Sequence, residues 1–459
     1  MEELPTVRWG LKKVIRIRWS EPSPEDPAYP LGWWLPSIML ATLFLNFQFW
    51  FIFERDLPLS GPPFAYFGVL GGIALLLVSL FYLGPALAAQ SSKASLYGLA
   101  EFSFGSVLAV GFRLCCGFYL VLWLTFSVQT VALLLYQWPY RRDPTKVESG
   151  LLAAAITFFL FATAMESLRT NAKLAMFTNK LSVAILMAAF IRVQAGWPAA
   201  WEALSHSTGF MQAMDWRRVP FLFFYFAPLA LLASDFGRRS RTRKDAGLIG
   251  LGGLALSFAV SIFAAGFIGQ ASHVLHGNIG NGSPVAAALF SRTSFRYSPP
   301  RMMVTAITMF GSARFGIRAL ANSVPFEGRT IRRGVLALLA CCIVILAVAT
   351  PESMHSVVEI LTRCLVVAAA VFTADFIAGT WRAERPPKVD WIGVVAFSLG
   401  LVTSFGLWYL VGLDLFTPSL AEPEFYPWVL PSYAGSFMTC LLLRITSRLW
   451  LSRGRLQLQ

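Results

Sequence analysis

Long apolar stretches separated by short polar segments follow one another along almost the whole chain. Stretches that contain no Asp, Glu, Lys or Arg occupy residues 34–53, 57–92, 114–140, 246–291, 334–351 and 426–443. A helix that crosses a bilayer needs about 20 mostly apolar residues, and several of these stretches have room for one or more. The pattern therefore predicts an all-α polytopic membrane protein.

Twelve membrane spans result when the chain is divided at prolines, glycines and charge clusters, which are typical of helix ends. The predicted spans, called helices one to twelve below, cover about 34–53, 64–88, 107–136, 150–167, 172–193, 219–235, 246–270, 302–323, 334–350, 356–380, 391–412 and 426–446. The eighth is the least regular of them, because Arg314 and Arg318 interrupt its apolar sequence.

Composition supports a bilayer as the solvent of this chain. Of its 459 residues 56% are hydrophobic and only 14% are charged, whereas soluble domains carry about 25% charged residues. The net charge of +14 is compatible with binding to nucleic acid or with positively charged cytoplasmic loops. The sequence contains no nucleic-acid-binding motif, so the loops are the favoured explanation and no nucleic-acid partner is expected.

The distribution of Lys and Arg predicts the orientation. With both termini in the cytoplasm, the loops and ends on that side carry 23 Lys and Arg, and the opposite loops carry 10. This asymmetry favours an inner-membrane, multi-pass protein with cytoplasmic termini. Residues 1–30 form a basic cytoplasmic segment, residues 31–449 the transmembrane domain and residues 450–459 a cytoplasmic tail. The run RRSRTRK, residues 238–244, is then mainly a topology signal.

No enzyme motif is visible, and we expect neither an enzyme nor a cofactor. His273 and His276 lie in the widest loop, about 270–300, but no Cys, Asp or Glu is near them to complete a metal site. This loop is more typical of a re-entrant hairpin over an outer opening. The six cysteines lie in apolar stretches and are expected to be buried thiols. Many helices with small loops indicate a transporter with a small-molecule substrate and a lipid environment, without indicating an oligomeric state.

Charged residues inside spans are costly and are candidate functional groups. Arg314 and Arg318 lie four residues apart, so they share one helical face, and Asn322 lies one turn further on. This stripe could bind an anionic group or permanently occupy a cation site. Alternatively, the arginines could pair with Asp375 or Glu359, or extend to the membrane surface.

Two aspartates occupy similar sequences, LASDFGRR around Asp235 and FTADFIAGTWR around Asp375. Each follows an apolar run and precedes an arginine, so each could pair with loop cations as part of a gate or simply meet water at the interface. Pro228 lies in the middle of helix six and predicts a broken helix there, because proline removes a backbone donor. Helix one contains no glycine, but Thr42 and Asn46 share one of its faces.

Three segments resemble the nucleobase–cation symporter family of cytosine, purine, uracil and allantoin permeases. They are KASLYGLAEFSFGSVLAVGFRLCCGFYLVLWLTFSVQT (93–130), FAPLALLASDFGRRSR (226–241) and VFTADFIAGTWR (371–382). The resemblance implies a LeuT-like fold with inverted repeats over about 31–195 and 215–382 and two added helices over about 391–446. It also implies a substrate site between helices one, three, six and eight, where aromatic rings stack on a planar heterocycle and amides bind its polar edge.

Residue by residue, the resemblance places the amide of helix three on Gln129 and the aromatic wall of helix six on Phe226. The tryptophan of helix three falls on Thr125, and Phe126 is its substitute. Among the sodium-binding hydroxyls of helix eight, Ser312 is retained and Ala313 replaces a threonine. Arg314 and Arg318 fall where the family has amides.

These replacements make sodium binding unfavourable, because one oxygen ligand is lost and a guanidinium repels the ion. We expect Arg314 to stand in for the coupling cation, and Arg318 to contact the substrate. The coupling ion, H⁺ or Na⁺, stays open. The predicted function is secondary active transport of a small nitrogenous heterocycle by alternating access. An amino-acid or organic-anion carrier on the same scaffold and a non-transporting membrane sensor or structural homologue are the alternatives.

Overall fold

The computed structural model describes residues 32–46, 50, 64–140, 145–164, 168–205, 219–276, 299–324, 329–348, 352–379, 387–412 and 429–456. Their regular secondary structure is helical, and a helix lies in each of the twelve predicted spans. In chain order, helices one to six are Trp34–Ala41, Phe64–Ser92, Ser106–Tyr140, Lys146–Ala164, Leu168–Arg192 and Val219–Ala233. Helices seven to twelve are Arg243–His276, Pro299–Ser323, Arg329–Val348, Glu352–Ala378, Trp391–Gly412 and Val429–Leu456.

The helices confirm the membrane character predicted from the sequence. Seven helices of the described part are long and apolar enough to cross a membrane, namely those within Gly68–Ser92, Ser106–Ala132, Lys146–Ala164, Thr170–Arg192, Arg243–Ser272, Val357–Ala378 and Val429–Trp450. Two shorter apolar helices lie within Arg333–Val348 and Trp391–Leu407. The protein is therefore a multi-pass membrane protein. The basic segment 1–30 lies outside the described residues.

The helices form two packed groups. Helices one, two, six and seven contact one another, and helices three, four, eight and nine form a second set of mutual contacts. Helix five joins the groups by packing on helices one and eight, and helix ten joins them by packing on helices two, three and six. Helices eleven and twelve pack on helix ten and on each other.

Helix one stops at Ala41, well before the end of its predicted span. The chain continues through turns and bends over residues 42–46. Side chains from helices five and seven bind backbone carbonyls of this segment. The Ser182 hydroxyl donates to the Leu45 carbonyl at 2.6 Å, and the Ser261 hydroxyl donates to the Phe44 carbonyl at 2.9 Å. The Asn46 amide donates to the Thr42 and Leu43 carbonyls. An interruption at membrane depth is tolerated because these donors satisfy the free carbonyls.

Helix six is not interrupted at Pro228, and the prediction of a break there is wrong. The α-helix continues through the proline to Ala233, and a tighter 3₁₀ segment follows over Ser234–Arg239. Pro228 and the residues after it are buried, so packing against neighbouring helices tolerates the lost hydrogen bond. Irregular helix occurs instead in helices two and seven. Each contains a π-helical segment, Val78–Leu83 and Gly250–Ala255, and the two segments contact each other.

Two short helices lie between the spans. The first, Leu96–Phe104, connects helices two and three and is called the loop helix below. Ser95 caps it, because its hydroxyl accepts a hydrogen bond from the Gly98 N–H at 3.1 Å. The second, Trp197–Ser205, follows helix five. The loop helix packs mainly on helix three and also contacts helices two, ten and eleven.

Candidate functional site

Helices three and eight lie side by side in opposite directions, and this fixes the depth of Gln129. A Cβ on Gly316 would lie 2.5 Å from the Trp123 ring, and one on Gly117 would lie 3.4 Å from the Ser323 hydroxyl. Because both helices rise by the same distance per residue, this register places Gln129 opposite the turn that contains Gly311. Gly311 in turn lies against Thr42, at 2.7 Å for an added Cβ. Gln129 and the interruption of helix one therefore share one depth.

The residues predicted on helix three differ in their surroundings. Gln129 and Phe126 are half-buried, and within the described residues the Gln129 amide has no hydrogen-bond partner. Thr125 is fully buried, and its hydroxyl donates to the Val121 carbonyl of its own helix at 2.8 Å. Gln129 thus offers a donor and an acceptor at the depth of the interruption in helix one, whereas the Thr125 hydroxyl is bound within its own helix.

Phe226 lies in a closed cluster of three aromatic rings. Its ring stacks on Phe44 with 5.0 Å between centroids and 8° between planes, and Phe258 of helix seven contacts both rings edge-on. Phe44 belongs to the interrupted part of helix one, and Phe226 is 0% exposed. The stacking surface predicted for a planar substrate is therefore covered by a ring of the protein itself.

The helix-eight residues predicted at the ion site are buried. The Ser312 hydroxyl donates to the Met309 carbonyl at 2.9 Å, and Ala313 is 1% exposed. The neighbouring carbonyls of Phe44 and Leu45 already accept side-chain hydrogen bonds. A cation here would compete with these donors for oxygen ligands, so the described residues fit a sodium ion poorly.

Arg314 and Arg318 point to different places although they share a helical face. The Arg314 guanidinium donates to the Thr163 carbonyl in the last turn of helix four, where the helix dipole favours a positive charge. Arg318 instead lines a cavity near the end of helix eight that the loop charges assign to the cytoplasm. The prediction that Arg314 replaces a coupling cation stays a prediction, because its described contact is with helix four.

This space, called the inner cavity below, has a volume of about 30 Å³, enough for about two water molecules. It lies between the loop helix, the end of helix six and the inner end of helix eight. Its polar lining consists of Tyr97, Asp235, Arg239, Arg318 and Asn322, and its apolar lining of Leu96, Leu232, Phe236, Phe315 and Ala319. Phe236 and Phe315 face each other with ring centroids 6.2 Å apart. Gln129, Phe126, Thr125 and Phe226 are not among these residues.

Asp235 joins three elements at the wall of the inner cavity. One carboxylate oxygen accepts the backbone N–H of Leu96 at 3.1 Å, and the other accepts the Asn322 amide at 3.4 Å. Arg238 lies 3.6 Å from the first oxygen. Leu96 begins the loop helix, where free N–H groups and the helix dipole attract an anion. We call this set of contacts the latch: it connects helix six of one helix group with helix eight and the loop helix of the other.

Asp375 has a different environment, because a partner of its carboxylate lies on helix twelve; the predicted pairing with loop cations stays a prediction. Arg444 of helix twelve binds it with both branches of the guanidinium, at 2.8 and 3.4 Å. Arg444 also binds Asp390, at the start of helix eleven, with 3.1 Å for one contact. All three residues are buried. Glu359, the other acid suggested as a partner of the helix-eight arginines, pairs with Arg363.

A further buried ion pair lies beside the inner cavity, and the sequence did not indicate it. Glu101 of the loop helix and Arg113 of helix three are 1% and 6% exposed, with 3.0 Å between Oε1 and Nη2. The Arg113 guanidinium also lies 5.5 Å from the centre of the Tyr97 ring. Arg113 lies inside helix three, where a charge needs an internal partner. Glu101 lies in a segment predicted as a loop, with no helical periodicity to mark it.

The predicted site residues therefore fall into separate places. Gln129, Ser312 and the interruption of helix one share a depth, with Phe226 stacked on Phe44. Arg318 and Asp235 line the inner cavity, Arg314 contacts helix four, and Asp375 lies in an ion triad. His273 and His276 lie outside the described side chains. Within the described residues, no group of three His, Cys, Asp or Glu could hold a metal ion.

Comparison with solved structures identifies the fold. The chain is similar to Mhp1, a nucleobase-cation-symport-1 family transporter, in a closed conformation with bromovinylhydantoin bound: TM-score 0.66, 12% identity, 95% of this chain and 96% of that chain covered. The inward-facing conformation of Mhp1 gives 0.63, 15% identity and 95% of both chains. A substrate-bound, outward-open Na⁺-coupled sialic acid symporter gives 0.60, 12% identity, 91% and 90%.

Sequence comparison adds no closer relative, since no protein-family model and no curated protein matches the chain. At identities of 12–15%, the structural similarity establishes the fold. The protein therefore has the LeuT-like fold that the resemblance implied, over nearly its whole length.

Proposed function

We propose that this protein is a secondary active transporter of the nucleobase–cation symporter type. It moves a small nitrogenous heterocycle, a nucleobase or a related compound, across the cytoplasmic membrane by alternating access, and it is not an enzyme. The observation that carries this proposal is the interruption of helix one at the depth of Gln129, with Phe44 of the interrupted segment stacked on Phe226. Interrupted helices at the membrane centre are where transporters of this fold bind their substrates.

The central residues suit a planar, polar-edged ring. An aromatic face binds a flat heterocycle, and a side-chain amide offers both a donor and an acceptor to its edge. Phe44 now covers Phe226, so a substrate ring must displace Phe44 or enter beside it. Substrate binding would then change the conformation of the interrupted segment, and this provides a means of coupling binding to movement of helix one.

The helix groups supply the moving parts. Helices one, two, six and seven can tilt relative to helices three, four, eight and nine, with the latch closing the inner side. Asp235 is then a gate residue. Its partners are the Leu96 N–H, the Asn322 amide and the half-buried Arg238 guanidinium. Water can replace each of them when the inner cavity opens.

The proposed coupling does not use sodium. Two observations support this. Ala313 provides no hydroxyl where the related family has a threonine, and the carbonyls of residues 42–45 accept hydrogen bonds from side chains. Arginines at the inner cavity favour a second candidate substrate class, a carboxylated organic anion, because Arg239 and Arg318 line the same cavity.

Uptake into proteoliposomes tests the proposal. A panel of uracil, cytosine, hypoxanthine, allantoin, hydantoins, amino acids and carboxylated sugars separates the two substrate classes. We expect accumulation of one heterocycle, no dependence on external sodium, and a loss of about tenfold or more in Gln129→Ala, since a hydrogen bond to bound substrate is worth about 1.5 kcal/mol. Gln194→Ala, at an exposed position, is the matched control.

The possible results are distinct. Accumulation of an anion alone would favour the second class, and a steep rise with external sodium would contradict the coupling. If the folded protein accumulates nothing from the panel, a non-transporting sensor or structural role replaces the proposal.

A further inference from the structure

The loop helix is held at three points, and one of them is a buried acid. At its first residue the Leu96 N–H binds Asp235. At its last residue the Phe104 carbonyl accepts the Asp390 N–H at 3.2 Å. Between these two anchors, Glu101 is fully buried and faces helix three, where Arg113 binds one of its oxygens at 3.0 Å.

The surroundings of Glu101 contain few charges. Arg113 is the charged group that acts on it from helix three. Tyr97, on the loop helix itself, lies on the other side of the Arg113 guanidinium and lines the inner cavity. Asp235 contacts the far end of the loop helix, and the carboxylate of Asp390 is already paired with Arg444. Among the described residues, Arg113 is thus the cation that favours the charged form of Glu101.

Because Glu101 is buried beside one arginine, its ionised and protonated forms are both populated near neutral pH. Removing a carboxylate from water disfavours its ionised form, and one nearby arginine compensates only in part. Burial raises the pKa of Glu101 to about 7, although Arg113 acts in the opposite direction. Burial also raises the pKa of Tyr97 well above its ordinary value, so the phenol stays protonated and does not compete for the proton.

We propose that Glu101 is a proton-binding site on the inner side of this carrier, reached from the inner cavity past Tyr97 and Arg113. The Glu101 carboxylate takes a proton from a hydronium ion in the inner cavity and leaves water behind. Water that enters when the latch opens stabilises the ionised carboxylate of Glu101, so opening lowers its affinity for the proton. Protonation therefore favours the closed latch.

This inference rests on the proposed transport function only in naming the proton as a coupling ion. The inner location suits a site that releases its proton to the cytoplasm when the latch opens and water reaches the carboxylate. The bound proton and the closed state are then linked reciprocally, as linkage requires for any two coupled equilibria.

Infrared spectroscopy of the full chain in proteoliposomes measures this proton directly, with no substrate needed. Between pH 5 and pH 9 we expect a protonated-carboxyl C=O band that disappears with a midpoint of about 7. The band should be absent in Glu101→Gln and unchanged in Glu202→Gln, which alters an exposed carboxylate. A band that persists in Glu101→Gln, or no titrating band in the folded wild-type protein, would overturn the proposal.

Variants of Arg113 keep the proposal testable if Glu101→Gln fails to fold. Arg113→Gln removes the cation that favours the carboxylate, so the midpoint should rise by about one to three pH units. Arg113→Lys retains the charge and should leave the midpoint near that of the wild-type protein. Equal midpoints in all three proteins would show that the titrating group is not beside Arg113, and Glu101 would be excluded.

The latch supplies a further readout. Leu96→Pro removes the N–H that binds Asp235, which should admit water and lower the midpoint of Glu101 towards the ordinary glutamate value of about 4.3. Leu96→Val keeps the N–H and should not. Identical midpoints in these two variants would contradict the link to the latch.

A protein that titrates at Glu101 but transports nothing from the panel would contradict the transport function alone, and one that transports without this titration would contradict the proton site alone.

Discussion

Asp235 and Asp375 occupy similar sequences near the ends of helices six and ten, yet their surroundings differ in kind. Asp235 is half-buried beside a water-sized cavity and is held by a backbone N–H, a side-chain amide and an arginine 3.6 Å away. Asp375 is 4% exposed and receives two hydrogen bonds from Arg444, which also binds Asp390. The comparison separates an aspartate that can exchange its partners from one that cannot.

The reason is the cost of releasing each carboxylate. Donors at the edge of a cavity can be replaced by water, at a cost of about 1.5–3 kcal/mol for each hydrogen bond to the carboxylate. A buried arginine between two carboxylates has no such replacement, since an unpaired charge would remain in an apolar region. Helix six is thus joined to its neighbours reversibly, whereas helices ten, eleven and twelve are joined permanently.

The strongest test of this comparison removes the central cation of the triad. Arg444→Gln leaves Asp375 and Asp390 facing each other without compensation, so the free energy of unfolding should fall by about 3–5 kcal/mol. Thermal unfolding of the purified protein in detergent measures this loss. Arg448→Gln, one turn further along helix twelve at an exposed position, should change stability little.

Neutralising both acids distinguishes a charge effect from a packing effect. Asp375→Asn and Asp390→Asn, combined with Arg444→Gln, should recover much of the stability lost in the single variant. If Arg444→Gln is no less stable than Arg448→Gln, the triad does not hold helices ten to twelve together, and the contrast with the latch disappears.

A smaller effect is expected when the latch is opened through the backbone. Leu96 is the first residue of the loop helix, and Ser95 before it has extended backbone angles, φ −69° and ψ 166°. Both conditions allow proline at position 96, so Leu96→Pro removes the N–H bound to Asp235 without breaking the helix. A hydrogen bond to a charged group contributes about 1.5–3 kcal/mol, so opening should become roughly 10- to 100-fold more frequent.

Hydrogen–deuterium exchange at constant pH measures that opening. Faster exchange is expected in the loop helix and at the end of helix six, whereas exchange in helix twelve should not change. Leu96→Val has a similar side-chain volume to proline and keeps the N–H, so it is the matched control. Equal exchange in the two variants would show that side-chain packing, rather than Asp235, closes the inner side.

Much of the fold could be predicted from the sequence because membrane spans need long apolar stretches, and these are visible residue by residue. Each of the twelve predicted spans contains a helix. The interruption of helix one was not predicted, since it lacks glycine. Its free carbonyls are bound instead by Ser182 and Ser261, far away in sequence. Pro228 predicted a break in helix six that is absent, because burial stabilises a helix that the local sequence disfavours.

The candidate site was only partly predictable for the same physical reason. The sequence marks costly groups such as Asp235, Asp375 and Arg314, but not their partners. Asp375 and Arg444 are 69 residues apart, and Arg314 reaches Thr163 across 151 residues. Glu101 gave no signal, because an acid in a predicted loop is normally exposed. Burial and pairing depend on how helices pack, and this is what separates the two aspartates.

The smallest expected effect concerns the amide side of the latch. Asn322 lies 3.4 Å from Asp235, a long hydrogen bond between neutral donor and carboxylate, so Asn322→Ala should raise the exchange of the loop helix by only about two- to tenfold. Ser312→Ala, about three turns earlier, removes a hydroxyl bonded within helix eight and should leave exchange of the loop helix unchanged. Should Asn322→Ala instead match Leu96→Pro, helix eight rather than the loop helix would be the main partner of helix six. Asp235 would then close the inner side by direct contact between the two helix groups, and the proton site at Glu101 would lose its mechanical route to the latch.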